Sequence, residues 1–253
     1  MLTEKRQEEI VRLVYERESI TVAELKEILH SSESTIRRDI IALDQEGRLT
    51  KVFGGAIALR TAQIVNKELS MVQKKDLQTA EKQAIARYAA SLIERDDCVY
   101  LDAGTSTGWM IEYIRETQAT YVTNALSHAK RLADKGFHVI LIGGEPKSST
   151  DAIVGAEAVV NLQKYHFNKG FFGTNGVEQN GGFTDAREAM VKQTAVKNTQ
   201  LANRYFLATS SKFGKVYAVT FAGFEGGVIL TEALVQESLP KSVRVVNVNQ
   251  PEK

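Results

Sequence analysis

Residues 31–55 read SSESTIRRDIIALDQEGRLTKVFGG, a polar-capped amphipathic helix running into a short basic hairpin. That succession is what a winged helix presents to a DNA duplex. Ile36, Ile40 and Leu43 fall at i, i+4 and i+7 and make one apolar stripe, while Ser34, Thr35, Arg37 and Arg38 lie off it near the helix start. Those four side chains are donors for base edges and phosphates, and Ser32 is the expected N-cap. The helix is expected to stop at Gly47. The segment after it then alternates Arg48, Thr50 and Phe53 outward with Leu49 and Val52 inward, and turns at the pair Gly54-Gly55. Arg48 and Lys51 are thereby expected beside the phosphate backbone.

Working outward, Thr3 can cap a first helix whose Ile10, Leu13 and Val14 repeat at helical spacing. Thr21-Val-Ala-Glu24 is a capping box opening a second helix with Leu25, Ile28 and Leu29 inward. His30-Ser31-Ser32 makes a tight connector to the third, which such a unit lays in the major groove. A plainer reading stands beside this one. Glu33 and Arg37 at i, i+4 form an ordinary solvated pair, and Asp39 can neutralise another neighbour. The first sixty residues hold ten Lys and Arg against eleven Asp and Glu, so bulk charge does not advertise nucleic acid. Counterion release depends on cations placed at phosphates rather than on net charge. The order of cap, stripe, arginine pair and wing therefore favours DNA over a structural or protein-contact role.

This segment closely resembles the N-terminal domain of DeoR-type bacterial transcription regulators. The shared features are the polar turn, the Thr-Ile-Arg-Arg-Asp run, the Leu-Asp-Gln-Glu-Gly stop and the Val-Phe-Gly-Gly-Ala wing. Phe53 stands where the family commonly has His, and Ile40 where it has Leu.

Composition fits a two-domain cytoplasmic protein: 253 residues, 43% hydrophobic, net charge +1. Cys98 lies in the apolar run Cys98-Val-Tyr-Leu101 and reads as a buried strand residue. No apolar stretch approaches the roughly 18–20 residues of a membrane span, and no signal-peptide core is visible at the N-terminus. One cysteine and four scattered histidines make a metal site unexpected. The expected divisions are a winged helix-turn-helix domain over 1–57, a linker over 58–79 marked by Lys67, Lys74, Lys75 and Asp76, and an α/β domain over 80–253.

From Ala80 a helix carrying Ile85, Tyr88, Ala89 and Leu92 leads into apolar runs at 98–102, 120–123, 139–143, 170–173, 205–208, 227–230 and 244–248. Strands alternating with helical segments predict a mostly parallel sheet covered on both faces. Ligands of such sheets bind beyond the carboxyl ends of the strands. Those ends are rich in small polar residues: Asp102-Ala-Gly104-Thr105-Ser106-Thr107-Gly108, Thr123-Asn124, Gly143-Gly144 and Gly173-Thr-Asn-Gly176. In the first, Gly104 allows close backbone approach, and the hydroxyls with free helix N–H groups can hold an anion. It is neither a Walker motif nor a dinucleotide fingerprint, so no cofactor is expected. Each of these ends singly reads as a turn; together with Asp185, Glu188 and Lys212 they read as a site. Asp185 can cap the helix that follows, Glu188 and Lys192 can form an exposed i, i+4 pair, and Lys212 in Ser-Ser-Lys-Phe-Gly is the phosphate candidate.

This half resembles the sensor domain of the same regulators, whose fold is similar to ribose-5-phosphate isomerases, glucosamine-phosphate deaminases and CoA transferases. The resemblance implies a pocket for a phosphorylated sugar formed by Asp102, Gly104, Thr105, Ser106, Thr107, Asn124, Gly144, Gly173, Asp185, Glu188 and Lys212. Thr209 stands where the family usually has Asp before Ser-Ser-Lys. The implied protein is a repressor gripping operator DNA as a homodimer or tetramer and relieved by the sugar phosphate. The Met-Leu-Thr-Glu start and the Ser-Glu-Ser-Thr-Ile-Arg-Arg-Asp run are most similar to fructose-operon repressors, which implies fructose 1-phosphate. The alternatives are a sugar-phosphate isomerase or deaminase, for which Asp185 and Glu188 are the candidate bases, and a non-catalytic assembly domain.

Overall fold

The computed structural model describes residues 3–17, 19–46, 48–58, 63–64, 77–178, 181–185, 189–233, 239–240 and 243–250. Gly47, Glu188 and the linker cations with Asp76 lie outside the described residues. The chain divides into two compact units, Met1–Thr61 and Ala62–Lys253.

The first unit is α1 (Thr3–Arg17), β1 (Ser19–Thr21), α2 (Val22–Leu29), α3 (Glu33–Gln45), β2 (Thr50–Val52) and β3 (Gly55–Ile57), with the strands in the antiparallel order β1-β3-β2. The capping box opens α2 as expected: the Glu24 N–H donates to Thr21 Oγ1 and the Thr21 N–H to Glu24 Oε2. His30 ends α2 in the left-handed region, its N–H returning to the Lys26 carbonyl, which makes the connector to α3 tight. Ile10, Leu13, Val14, Leu25, Leu29, Ile36, Ile40, Leu43 and Leu49 close the core.

Three expectations fail here. Thr3 is itself helical rather than a cap. Ile28 is 38% exposed, because Val22, Leu25 and Leu29 define the inward face of this short helix and Ile28 lies about a quarter-turn off it. Val52 is 39% exposed, because a strand repeats every two residues and Leu49 and Val52 are three apart.

The second unit runs β4 (Gln63–Ile64), α4 (Thr79–Ser91), β5 (Cys98–Leu101), α5 (Thr105–Tyr113), β6 (Thr120–Thr123), α6 (Leu126–Asp134), β7 (His138–Leu141), β8 (Glu145–Lys147) and β9 (Ala152–Val154). It continues α7 (Ala156–Leu162), β10 (Lys169–Gly173), β11 (Gly176–Glu178), β12 (Gly182–Asp185), α8 (Ala189–Lys197), β13 (Arg204–Leu207), β14 (Lys215–Val216), β15 (Val219–Ala222), β16 (Gly227–Thr231) and β17 (Arg244–Asn247). Seven strands form one sheet in the order β17-β16-β13-β10-β5-β6-β7, and each neighbouring pair is parallel.

Alternation along the strands splits the core in two. Leu101, Tyr121, Phe171 and Leu207 pack with α4, α5 and α6, while Tyr100, Val122, Phe172 and Phe206 pack with α7 and α8. Cys98, expected in the interior, is half-buried. From β5 the chain adds β6 and β7 on one side and β10, β13, β16 and β17 on the other, so the strand order reverses between β5 and β10. That is the topological switch point, where the loops leaving two neighbouring strands diverge and open a crevice.

Candidate functional site

In the first unit α3 and the wing carry the exposed cations Arg37, Arg38 and Lys51, beside others on α1 and α2. Ser32 is the N-cap, its Oγ accepting the Thr35 N–H at 3.2 Å and lying 2.9 Å from Ser34 Oγ and 2.8 Å from Thr35 Oγ1. Arg37 is exposed and ion-paired with Glu33 at 2.6 Å, a contact between solvated side chains worth a few tenths of a kcal/mol that a phosphate displaces readily. Arg38 and Lys51 are exposed and have no ionic partner among the described residues. Arg48 is partly covered, with its guanidinium 3.6 Å from Glu46. Asp39, in contrast, is buried, and its carboxylate takes Arg6 Nε at 2.6 Å and Nη2 at 3.3 Å.

In the second unit the strand ends at the switch point meet around a buried cluster of charges. Asp102 follows β5 and is fully buried; its Oδ2 accepts the Gly173 N–H at 3.0 Å, which ties the end of β5 to the end of β10. Lys192 of α8 is buried between two carboxylates, its Nζ 3.0 Å from Asp102 Oδ2 and 2.5 Å from Asp185 Oδ2, and it also donates to the Gly173 carbonyl at 3.0 Å. The exposed Glu188–Lys192 pair expected for it is therefore wrong in one partner: Lys192 points inward, beside Ala189 and Val196 on the buried face of α8. Asp185 closes β12 and also accepts from Asn175 Nδ2 at 3.0 Å. Lys212, on a 3-10 turn, donates to the Thr174 carbonyl at 2.5 Å and so faces the same β10–β11 turn.

The loop 102–108 leads into α5, whose N-terminus carries no side-chain cap, so its first amides are available to an anion. Thr105 and Gly104 are partly exposed there, and Ser106 is buried. Thr107 turns inward and donates to the Asp102 carbonyl at 2.6 Å, which fixes the loop. Asn124 is a strut: its Oδ1 accepts from Tyr100 Oη at 3.0 Å and from the Ala103 N–H at 2.9 Å. Gly144 has φ +142°, and a Cβ there would lie 2.7 Å from the Val154 carbonyl oxygen, so the close approach of β9 accounts for this glycine. A Cβ on Gly173 would sit 3.5 Å from Asp102 Oδ2.

Three neighbours of the site escaped the sequence reading. Gln78 Oε1 accepts from Thr209 and Ser211, and Glu232 accepts the Ser210 N–H at 3.0 Å, so a distant carboxylate serves the loop whose usual aspartate is Thr209. His128 is buried under α5, and burial holds its pKa down to about 4, helped by Arg131 and opposed by Asp151 and the Gly104 carbonyl. Among the described residues there is no cluster of metal ligands and no helix long and apolar enough to cross a membrane.

A helix-turn-helix with a wing, carried on the same chain as a doubly wound unit with a buried charge cluster at its switch point, defines a DNA-binding regulator with a sensor. Residues 6–62 match the DeoR-like helix-turn-helix domain and residues 77–231 the DeoR C terminal sensor domain. The chain belongs to the DeoR family, whose members regulate transcription in sugar metabolism. It is 40% identical over 234 residues, 91% of each chain, to the uncharacterized HTH-type transcriptional regulator FruR of Bacillus subtilis. It is 39% identical to the lactose phosphotransferase system repressor of Staphylococcus aureus, over 83% of this chain and 84% of that one. Among solved structures, ribose 5 phosphate isomerase A from Neisseria gonorrhoeae aligns over 52% of each chain at 11% identity with a TM-score of 0.38. The sorbitol operon regulator SorC from Klebsiella pneumoniae aligns over 80% of this chain and 88% of that one, at 12% identity and 0.35.

Proposed function

We propose that the protein represses a sugar-utilisation operon and releases its operator when a phosphorylated sugar, with fructose 1-phosphate the first candidate, enters the crevice between β5 and β10. Two features at the carboxyl end of the sheet carry this reading: an uncapped helix N-terminus at Gly104–Thr107, and Lys212, which donates to the Thr174 carbonyl just beyond β10. One offers backbone donors to a phosphate and the other a cation, while Asp102 and Asp185 offer acceptors to sugar hydroxyls. Glu188 belongs to the proposed pocket by resemblance.

The grip on DNA is assigned to Ser32, Ser34, Thr35, Arg37, Arg38, Arg48 and Lys51, in a dimer or tetramer engaging repeated half-sites. Turnover is not expected. An isomerase base has to take a proton from carbon, whereas the Asp185 carboxylate is held by Lys192 and Asn175. Supporting this assignment, two relatives at 39–40% identity are a transcriptional regulator and a repressor.

The test is a thermal-shift screen over ketose and aldose phosphates, followed by operator binding with and without the hit. Thr105→Ala and Lys212→Ala are expected to keep wild-type operator affinity and lose both the shift and the release. A double variant that is still released normally puts the pocket elsewhere, and formation of an isomerised or deaminated product makes the chain an enzyme.

A further inference from the structure

Among the described residues Phe53 is the most exposed large apolar side chain, at 109% of its reference area against 69% for Met190, which comes next. A single exposed apolar residue is ordinary. What distinguishes Phe53 is a rigid setting that denies the ring any way back to the protein. The register of β2 and β3 pairs Val52 with Gly55, which leaves Phe53 and Gly54 as a two-residue turn at the hairpin tip. Gly54 has φ +87° and its carbonyl accepts the Val22 N–H at 2.9 Å. A Cβ on Gly55 would collide with the Ile20 carbonyl, and the Lys51 N–H is held by Asp44 Oδ1 at 2.8 Å. The wing is thus tied to β1, to α2 and to the end of α3, with the ring aimed at solvent.

Beside it, between α3 and the wing, lies a cleft of about 80 Å³. Ile41 and Val52 line its apolar part, both substantially exposed, and Arg37 and Lys51 supply cations from opposite sides. One sugar-phosphate strand meets those requirements: deoxyribose against the apolar surface and phosphate against the Lys51 ammonium, with Arg37 left to reach past the strand to a base edge. With α3 in the major groove and that strand in the cleft, the hairpin tip crosses the strand and reaches the minor groove beyond it.

From this we infer that Phe53 is a minor-groove wedge, an apolar side chain pressed against or between base pairs at the edge of each half-site. Such wedges partly unstack a step and bend the duplex. Specificity then arises at positions no hydrogen bond reads, through the ease with which a step deforms. The inference rests on the reading that α3 faces DNA.

The experiment uses the full-length protein and a duplex carrying the site it protects in footprinting of its own upstream region. Affinity is measured across a salt series for wild type, Phe53→Ala, Phe53→Trp and Lys51→Ala, with 2-aminopurine placed in turn at positions flanking the protected core. Phe53→Ala is expected to bind this site about 5- to 100-fold more weakly with an unchanged salt slope, and Phe53→Trp to retain affinity. Wild type, but not Phe53→Ala, brightens 2-aminopurine at one flanking position. Thermal melts of the two are expected to coincide, because the ring is fully exposed.

Equal affinity of Phe53→Ala and wild type, or no 2-aminopurine position that distinguishes them, overturns the wedge alone. A Phe53→Ala protein of changed mass in light scattering but unchanged DNA affinity assigns the ring to a protein contact and overturns it as well. Failure of wild type to protect any DNA removes the DNA-facing reading of α3, and the wedge with it.

Discussion

Three consecutive charges, Arg37, Arg38 and Asp39, meet two different fates, and burial separates the aspartate from the arginines. Arg37 and Arg38 stay in solvent, where a partner can be exchanged, whereas Asp39 is sealed against Arg6 and joins α1 to α3. Removing one member of a buried pair exposes the other to an apolar surround. Asp39→Asn is therefore expected to cost about 3 kcal/mol in urea unfolding, against less than about 0.5 kcal/mol for Arg38→Ala; equal losses would show that the Arg6 pair does not brace the unit. His128 provides the second residue-scale test. Its folded pKa of about 4 lies below the ordinary histidine value of 6.5, so between those two pH values the unfolded chain binds the proton and the folded chain does not. Stability supplied by the neutral ring is then complete above about pH 6.5 and is lost as pH falls toward 4, by about 1–3 kcal/mol. His128→Gln is expected to flatten that acid limb, and an unchanged slope in a pH series of denaturation midpoints would assign it to other groups. At this scale the sequence was legible where chemistry is local, as at the Ser32 cap. Lys192 was misread because the i, i+4 rule describes an isolated helix, and its partner Asp102 arrives from a distant strand.

Among the elements, the inner parallel strands were legible because a strand buried on both faces is a short continuous apolar run, as in Val99-Tyr-Leu101 or Gly170-Phe-Phe-Gly173. The small antiparallel pieces, β8 with β9 and β11 with β12 and β15, were not. Each is three or four residues of mixed character, held by pairing across the chain rather than by its own pattern. The site shared this division: the loops after β5 and β10 could be placed from their strands, but that Asn124 braces the loop and that Lys192 bridges two aspartates depend on packing. The wing and α3 make an element-scale prediction about how affinity divides. Arg37, four residues into α3, is free to leave Glu33 for a base edge, so Arg37→Ala is expected to cost about 1–3 kcal/mol on the specific site and little on random DNA. Lys51, on the wing, is expected to act on phosphate, so Lys51→Ala should weaken binding on all sequences and lower the salt slope by about one. A sequence-dependent loss for Lys51→Ala, or a uniform one for Arg37→Ala, would reverse the two assignments.

At the level of the whole molecule, the proposed function has the two units answer different ligands, and regulation then requires that each ligand change the affinity for the other. A ligand shifts an equilibrium only by its differential affinity for the two states. Coupling between sites is typically about 1–3 kcal/mol, a factor of about 5–150, and linkage makes it reciprocal. Moving a population from almost wholly bound to almost wholly free takes about 5.5 kcal/mol, so one protomer does not suffice, and two suffice only with coupling near the top of that range. The expected outcome is then quantitative. If a sugar phosphate identified by thermal shift weakens operator binding by some factor per protomer, saturating operator must weaken binding of that sugar phosphate by the same factor, measured by calorimetry on the protein–DNA complex. Release should also steepen with effector concentration, with a Hill coefficient above one. A non-reciprocal factor would mean that the sugar phosphate also binds at the DNA surface as a competing anion. A salt-matched inorganic phosphate control identifies that case, since a simple competitor acts equally on specific and random duplexes, whereas a ligand in the crevice at β5 and β10 loses its effect in Lys212→Ala.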